Sequence, residues 1–326
     1  MAAGLQSLKC LARIYKQSAF ATSSQKTYRS QMKCYLNFCL EFHCMPVPCS
    51  QETLICYTAF LSKKMLPGSI ANYLNAVRVI HVESGHPNPL SDNYELVMLK
   101  RGIARLKGIP PKQKQPMTLD LLIRVRSSVN LILPSDLSFG AICVLGFFGF
   151  LRKSTLLPAS PSVCPDKMLT RGDIIDFDLE SFVLVVRFSK VIQFGQKILK
   201  LPYYMCVDPK LCPVRAILAH FGASPLGKDR PLFNFLRDGV EVFMSPGDFV
   251  KRLKSALLSV GVDQTEYSAH SLRRGGASYA FEIGISPLQI KQRGDWASSA
   301  YEKYIFVSAN SLSAVGRALS SGVTMS

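Results

Sequence analysis

The chain has 326 residues, 48% of them hydrophobic and 19% charged, which is the balance of a globular rather than a disordered protein and length enough for two domains that each bury a core. Lys and Arg number 39 against 22 Asp and Glu, a net charge of +17 that calls for a polyanionic partner. A membrane span needs about 18 uninterrupted apolar residues, and none is found; the longest candidate, Leu137 to Leu151, reads as a buried core helix, which leaves nucleic acid as the expected partner.

The first acidic residue is Glu41. An acid-free start containing Arg, Lys and Ser suits either a mitochondrial transit peptide or a basic arm lying on DNA, and residues 1–21 are taken as the arm. From about Thr22 to Gly108 the pattern is helical, with Tyr28, Met32, Tyr35, Leu36, Cys39 and Leu40 recurring at steps of three and four. Pro46, Pro48, Pro67, Gly68, Gly85, Pro87 and Pro89 divide the stretch into about four helices, and Ser69 is the expected cap of the one carrying Ile70, Tyr73, Leu74 and Val77. The chain from Met1 through Pro116 carries roughly +10 of the net charge, and the stretch 22–111 is expected to be a small all-helical domain. Lys26, Arg29, Lys63, Lys64, Arg78, Lys100 and Arg101 are its candidate DNA contacts; any one of them alone reads as a solvated surface charge, and only the excess is informative.

Lys107 to Pro116 mixes prolines, a glycine and cations between two differently patterned regions, so the interdomain linker is expected there, at 112–117. Beyond it the composition changes. Ser181 to Phe188 and Ile198 to Tyr204 are β-prone runs with Gln193-Phe194-Gly195 between them, a hairpin by its turn chemistry. Helices then return, and Ser286-Pro287-Leu288-Gln289 has the cap, first-turn proline and third-position Gln of a helix start. The fold class expected is mainly α with a small β-sheet, with a mixed domain at 118–307 and a tail at 308–326. The ten cysteines form no CxxC pair and have no His partner at zinc-ligand spacing, so they are read as reduced, mostly buried thiols of an intracellular protein; the five-residue recurrence of Cys34, Cys39, Cys44 and Cys49 fits neither a helix face nor a metal knuckle and is treated as coincidence.

Four stretches of the second domain carry groups able to act on a phosphodiester: Gly149-Phe-Leu-Arg152-Lys-Ser154, Ser189-Lys190, His270-Ser-Leu-Arg273, and Gly294-Asp-Trp296 running on to Tyr304. Singly, each has a bland reading as a helix-end cation, a turn lysine, a satisfied histidine or a core tyrosine. Their order and spacing resemble the signature of the tyrosine recombinases of the phage-integrase family, which reads Arg, Lys, His-x-x-Arg, then His or Trp, then Tyr. The Gly-x-Trp-x-Ser-x-Ala-Tyr-x-x-Tyr-Ile ending further resembles recombinases of eukaryotic mobile elements of the DIRS and Crypton type, and the resemblance spans about Thr22 to Ile305.

That resemblance implies a SAM-like core-binding domain followed by a catalytic domain, clamping double-stranded DNA, with assembly as a dimer and then a tetramer. It implies DNA breakage and rejoining, as in site-specific recombination and integration, with no cofactor, metal or small-molecule substrate, in the nucleus if the source is eukaryotic. Tyr304 is the implied nucleophile, in preference to Tyr301, and leaves a 3′-phosphotyrosyl bond. Arg152 and Arg273 are implied to hold the nonbridging oxygens, since guanidiniums are planar, permanently charged donors. His270 assists proton transfer, Lys190, with Lys197 as a substitute, protonates the leaving 5′ oxygen, and Trp296 completes the catalytic set. Arg274 is turned by about 100° from Arg273 on a helix and is assigned to structure or DNA-backbone contact. Two positions depart from the pattern: Asp295 follows Gly294 where relatives carry His or Trp, and Thr155 stands where a Glu would hold Arg152. They keep open a domesticated binder of the same fold without catalysis, and a type IB topoisomerase-like enzyme shares the nucleophile chemistry.

Overall fold

The computed structural model describes residues 2–110, 113–161, 165–307 and 309–321, in two compact units, Met1–Lys112 and Gln113–Ser326. Pro111 and Lys112 of the expected linker, Cys164, and Ser308 and 322–326 of the expected tail lie outside the described residues.

The first unit is all helix: α1 (Ala2–Ser18), α2 (Thr22–Glu41), α3 (Gln51–Ser62), α4 (Pro67–Glu83) and α5 (Tyr94–Lys107). Residues 2–18, expected as an arm, are thus helical, with Leu5, Leu8, Leu11 and Tyr15 exposed. α2 packs on α4 and α3 on α5, and the helical spacing of Tyr35, Phe38, Leu54, Tyr57, Leu61, Ile70, Leu74 and Val77 brings them into one core. Ser50 and Asn93 cap α3 and α5 by accepting from the amides of Thr53 at 3.0 Å and Leu96 at 2.9 Å. Ser69 is not a cap. Pro67 occupies the first turn of α4, where its fixed φ suits the helix and its missing N–H costs nothing, so the helix starts after Leu66 and Ser69 lies inside it. Nor is the cysteine recurrence arbitrary in space: Cys34, Cys39, Cys44 and Cys49 all pack against this one core, although only Cys39 of the four is fully buried.

The second unit is built around α7 (Pro134–Phe148), in which every residue from Asp136 to Phe147 is buried. It follows α6 (Leu119–Ser127) and leads into α8 (Lys153–Leu156). A three-stranded antiparallel sheet, β1 (Ile174–Ile175), β2 (Ser181–Val186) and β3 (Leu199–Tyr204), has β2 in the middle and the register Val186↔Leu199 next to the hairpin loop. α9 (Pro213–Ala223) packs on α7, then a second hairpin joins β4 (Phe235–Arg237) and β5 (Val240–Val242). Its turn is Asp238-Gly239, both with positive φ, an Asp-Gly signal that the sequence reading passed over. α10 (Pro246–Ser259), α11 (His270–Glu282), α12 (Pro287–Arg293) and α13 (Ala309–Ser321) complete the unit.

α11 lies against α7 at very close range. A Cβ on Gly276 would stand 2.0 Å from the Phe147 carbonyl oxygen, and one on Gly275 1.8 Å from that of Met117, so glycine is required at both positions. Residues 113–117 of the expected linker belong to this unit: the amides of Gln115 and Met117 donate to the carbonyls of Glu266 and Ser271, and Met117 is fully buried. α12 starts as its residues dictate, Ser286 and Gln289 satisfying each other's backbone amides in a capping box behind Pro287.

Candidate active site

The site forms where α11, two turns and the β2–β3 hairpin converge. Arg273, one turn into α11, is only 1% exposed. Its Nη2 donates to the Gly294 carbonyl at 2.7 Å and its Nη1 to the Phe150 carbonyl, while Nε has no partner. Phe150 adopts φ 49°, a left-handed conformation costly for a bulky side chain, in the loop that leads into Arg152. One guanidinium therefore ties together the loop that presents Arg152 and the turn that presents Asp295 and Trp296.

Trp296 covers Arg273, with the guanidinium carbon 3.7 Å from a ring centroid, and the same carbon lies 5.2 Å from the centre of the Tyr304 ring. Trp296 and Tyr304 are themselves 5.2 Å apart, tilted by 58°. Burial and then the nearby Arg152 oppose the charge on Arg273, and Tyr304 and Asp295 support it. Tyr301 also touches Trp296, at 6.4 Å, but its ring is not one of those over which Arg273 lies. Tyr301 lies in a 3-10 turn, Ser299–Lys303, with Tyr304 as its C-cap.

The cations around this stack differ in how they are engaged. Arg152 caps α8 with its backbone half-buried, and no hydrogen bond or ion pair engages its guanidinium among the described residues. Lys190 is exposed in the hairpin loop. Lys197, across the loop, is bound to Asp295. His270 opens α11 and lines a cleft of about 280 Å³ with Tyr304, Lys114, Arg274 and Lys303. Desolvation, and then Arg273, Arg152, Lys153 and Lys190, hold the His270 pKa below its ordinary 6.5, so the neutral ring is the form present at pH 7. These couplings bring Arg152, Lys190, His270, Arg273, Trp296 and Tyr304 within electrostatic or direct reach of one another.

Three further features complete the picture. Arg274 faces away from Arg273, donating to the Lys114 carbonyl and lying over the Phe306 ring, which is the structural role expected of it. Lys153, beside Arg152, acts on His270 and was not singled out from sequence; its adjacency to Arg152 was the available signal. The side chain of Asp295, one of the two departures from the pattern, is turned into the protein and holds Lys197 and Ser189. Thr155 is buried on α8.

The candidate DNA contacts of the helical unit fall on its two helix pairs. Lys26, Arg29 and Arg78 lie on α2 and α4, Lys100 and Arg101 lie on α5, and Lys63 and Lys64 follow α3; all are exposed except Arg78, which is half-buried and donates to Asn75. Among the described residues no helix is long and apolar enough to cross a membrane, and no group of three His, Cys, Asp or Glu side chains is placed to hold a metal ion.

No protein-family model matches the chain. An integrase/recombinase XerD homologue of Selenomonas ruminantium is 23% identical over 296 residues, covering 88% of this chain and 81% of the relative. Among solved structures, the Tn1549 transposon integrase in complex with circular-intermediate DNA superposes with a TM-score of 0.58 at 14% identity, covering 94% of this chain and 97% of the other. A λ integrase dimer bound to a COC′ core site gives a TM-score of 0.51 at 14% identity over 91% and 93% of the two chains.

Proposed function

We propose that this chain, a relative of the tyrosine recombinases in sequence and in fold, is a DNA strand-exchange enzyme that cuts and rejoins duplex DNA through Tyr304. The observation that carries the reading is the stack in which Arg273 lies against both Trp296 and Tyr304 while Arg152, Lys190 and a neutral His270 surround it.

The chemistry follows from those groups. The Tyr304 hydroxyl attacks phosphorus and gives its proton to His270, which is free to accept it because desolvation, and then the neighbouring cations, favour the neutral ring. Arg152, whose donors are uncommitted, takes the nonbridging oxygens directly, and buried Arg273 adds a fixed positive field beneath the phosphorane. The bond to the 5′ oxygen breaks as Lys190 supplies a proton, leaving a 3′-phosphotyrosyl link and a free 5′ hydroxyl. The phosphodiester energy is kept in that link, so a 5′ hydroxyl from another strand reverses the step and completes the exchange.

The surplus of Lys and Arg, +17 net, supports binding to duplex DNA through phosphates, with Lys26, Arg29, Lys63, Lys64, Arg78, Lys100 and Arg101 as the contacts of the helical unit. The Gly294-x-Trp296-x-Ser298-x-Ala300-Tyr301-x-x-Tyr304-Ile305 ending supports a place among the DIRS and Crypton type of mobile-element recombinases, hence action in a nucleus. Exchange between two duplexes needs a nucleophile for each strand cut, which supports assembly on DNA as dimers and tetramers.

The test starts with duplexes that the protein selects from a random-sequence pool, nicked beside the selected site so that cleavage traps the intermediate. Wild type is expected to give a covalent protein–DNA band on a denaturing gel, lost in Tyr304→Phe and kept in Tyr301→Phe. Bound DNA without any band from wild type overturns the reading in favour of a non-catalytic binder, and a band lost only in Tyr301→Phe moves the nucleophile.

A further inference from the structure

The carboxylate at position 295 has an unusual set of partners for a group so close to a phosphate site. Its side chain is 5% exposed, accepts a hydrogen bond from Ser189 Oγ at 3.2 Å and pairs with Lys197 Nζ. Ser189 and Lys197 lie near the two ends of the loop 187–198 that joins β2 to β3, and Lys190 lies between them. The loop is bonded within itself as well. Ser189 Oγ accepts from the amides of Val191 and Ile192 at 3.2 Å each, the Ser189 amide donates to the Ile192 carbonyl at 3.0 Å, and Gln193 Nε2 donates to the Lys190 carbonyl at 2.7 Å. A loop tied at its base and braced inside has few ways to move Lys190.

The residue after Asp295 faces the opposite way. Trp296 lies on Arg273 and Tyr304, so two consecutive residues grip the hairpin on one side and the nucleophile's surroundings on the other. Asp295 has φ 54°, the left-handed conformation that Asp tolerates better than most residues and that turns the two side chains apart. Its charge is answered by Lys197, so the phosphate meets no bare carboxylate there.

We propose that Asp295 is a positioning residue that holds the Lys190 loop in register with the Arg273–Trp296–Tyr304 stack, an inference that rests on the strand-exchange reading above. The benefit is to the leaving group. A proton donor held near the departing oxygen acts without first being brought into place, and holding a group in reacting geometry is among the larger contributions available to an enzyme. Lys197 is then a tether and Lys190 the acid.

The experiment compares two nicked duplexes of the selected sequence that differ in one atom. In one, the scissile phosphate has its natural 5′ bridging oxygen; in the other, sulfur. In both, the Tyr304 oxygen bonds to phosphorus and the bond to the 5′ atom breaks. The oxygen requires a proton from Lys190, whereas sulfur departs with its electron pair as a stable thiolate and requires none. Rates of adduct formation are measured for wild type, Lys190→Ala, Asp295→Asn and Lys197→Met, with Tyr304→Phe as the reference for loss of chemistry.

Lys190→Ala is expected to slow the oxygen substrate by about 100-fold or more and the sulfur substrate hardly at all. Asp295→Asn and Lys197→Met are expected to slow the oxygen substrate by about 10-fold or more and to recover to within about 3-fold of wild type on sulfur. Lys197 is half-exposed, so its variant tests the tether even if Asp295→Asn does not fold. Equal slowing on both substrates makes the contact merely structural and overturns the proposal, as does an absence of slowing. A larger, sulfur-rescued loss in Lys197→Met than in Lys190→Ala overturns it by making Lys197 the acid. Failure of the underlying reading looks different: wild type then forms no adduct on either substrate.

Discussion

Arg273 is the residue on which the site depends. Its guanidinium is nearly inaccessible, holds two carbonyls and lies against two aromatic rings, so its first task is to fix the loops that carry Arg152, Asp295 and Trp296. Trp296→Ala is expected to lower the unfolding free energy by about 3–5 kcal/mol, the ordinary cost of removing a buried large aromatic side chain. Trp296→Phe, which keeps a ring over Arg273, should lose distinctly less; equal losses in urea titrations followed by circular dichroism would count against the stack as a stabiliser. Trp296 is the only tryptophan, so its fluorescence in wild type reports directly on this position. His270 gives a second prediction. Its pKa is held below 6.5, so the proton-accepting form is lost only as pH falls through that lowered value. Adduct formation should rise with pH on the acid side with a midpoint below 6.5, and His270→Gln should remove that rise. An unchanged rise in the variant would assign it to another group.

At the scale of elements, the α7–α11 contact decides where the proposed catalytic side chains His270 and Arg273 stand. α11 bears both His270 and Arg273, and its two glycines let it approach the Phe147 and Met117 carbonyls closer than any side chain permits. Gly276→Ala must therefore push α11 away from α7, and a loss of about 2 kcal/mol or more is expected from forced overpacking. Cleavage should fall further than stability alone explains, because a displaced helix moves Arg273 relative to Trp296; denaturant melts alongside adduct rates check this. Ser286→Ala probes a different element. It removes the reciprocal cap of α12 and should cost about 1 kcal/mol while leaving the Arg273 stack in place. Much of this level was legible in the sequence: the buried helix at Leu137–Leu151, the β2–β3 hairpin, the Ser286 start and about four helices after Thr22. Ser69 was misplaced because a proline at the first helical position was stronger than a serine two residues later. The Asp238-Gly239 hairpin was missed although its turn dipeptide was in view.

For the whole molecule the governing quantity is the +17 charge, and phosphate neutralisation makes binding depend on salt. If about six to ten phosphates are contacted, affinity should fall by roughly 10³ to 10⁵ between 50 and 200 mM salt. Charge-reversal of Lys63 and Lys64 should flatten the slope of log affinity against log salt. A slope unaffected by that change would remove these two from the contact set. Site choice, by contrast, should survive it, since phosphate contacts carry no base information.

By itself the sequence determined the basic charge, the helical and mixed halves, and the ordered Arg, Lys, His-x-x-Arg and Tyr set, because charge, periodicity and short-range spacing are local properties of the chain. What the tertiary structure decided was which of these groups are free to act. Arg152 and Arg273 look alike in sequence, yet among the described residues no partner engages the Arg152 guanidinium, whereas Arg273 is buried against two rings. Lys190 and Lys197 share one loop, yet only Lys197 is held by Asp295. Asp295, a departure from the pattern when read along the chain, becomes a tether once residues 189 and 197 are folded against it. The physical reason is common to all three: a side chain's charge is written in the sequence, but its partners come from other segments of the chain and exist only once it has folded.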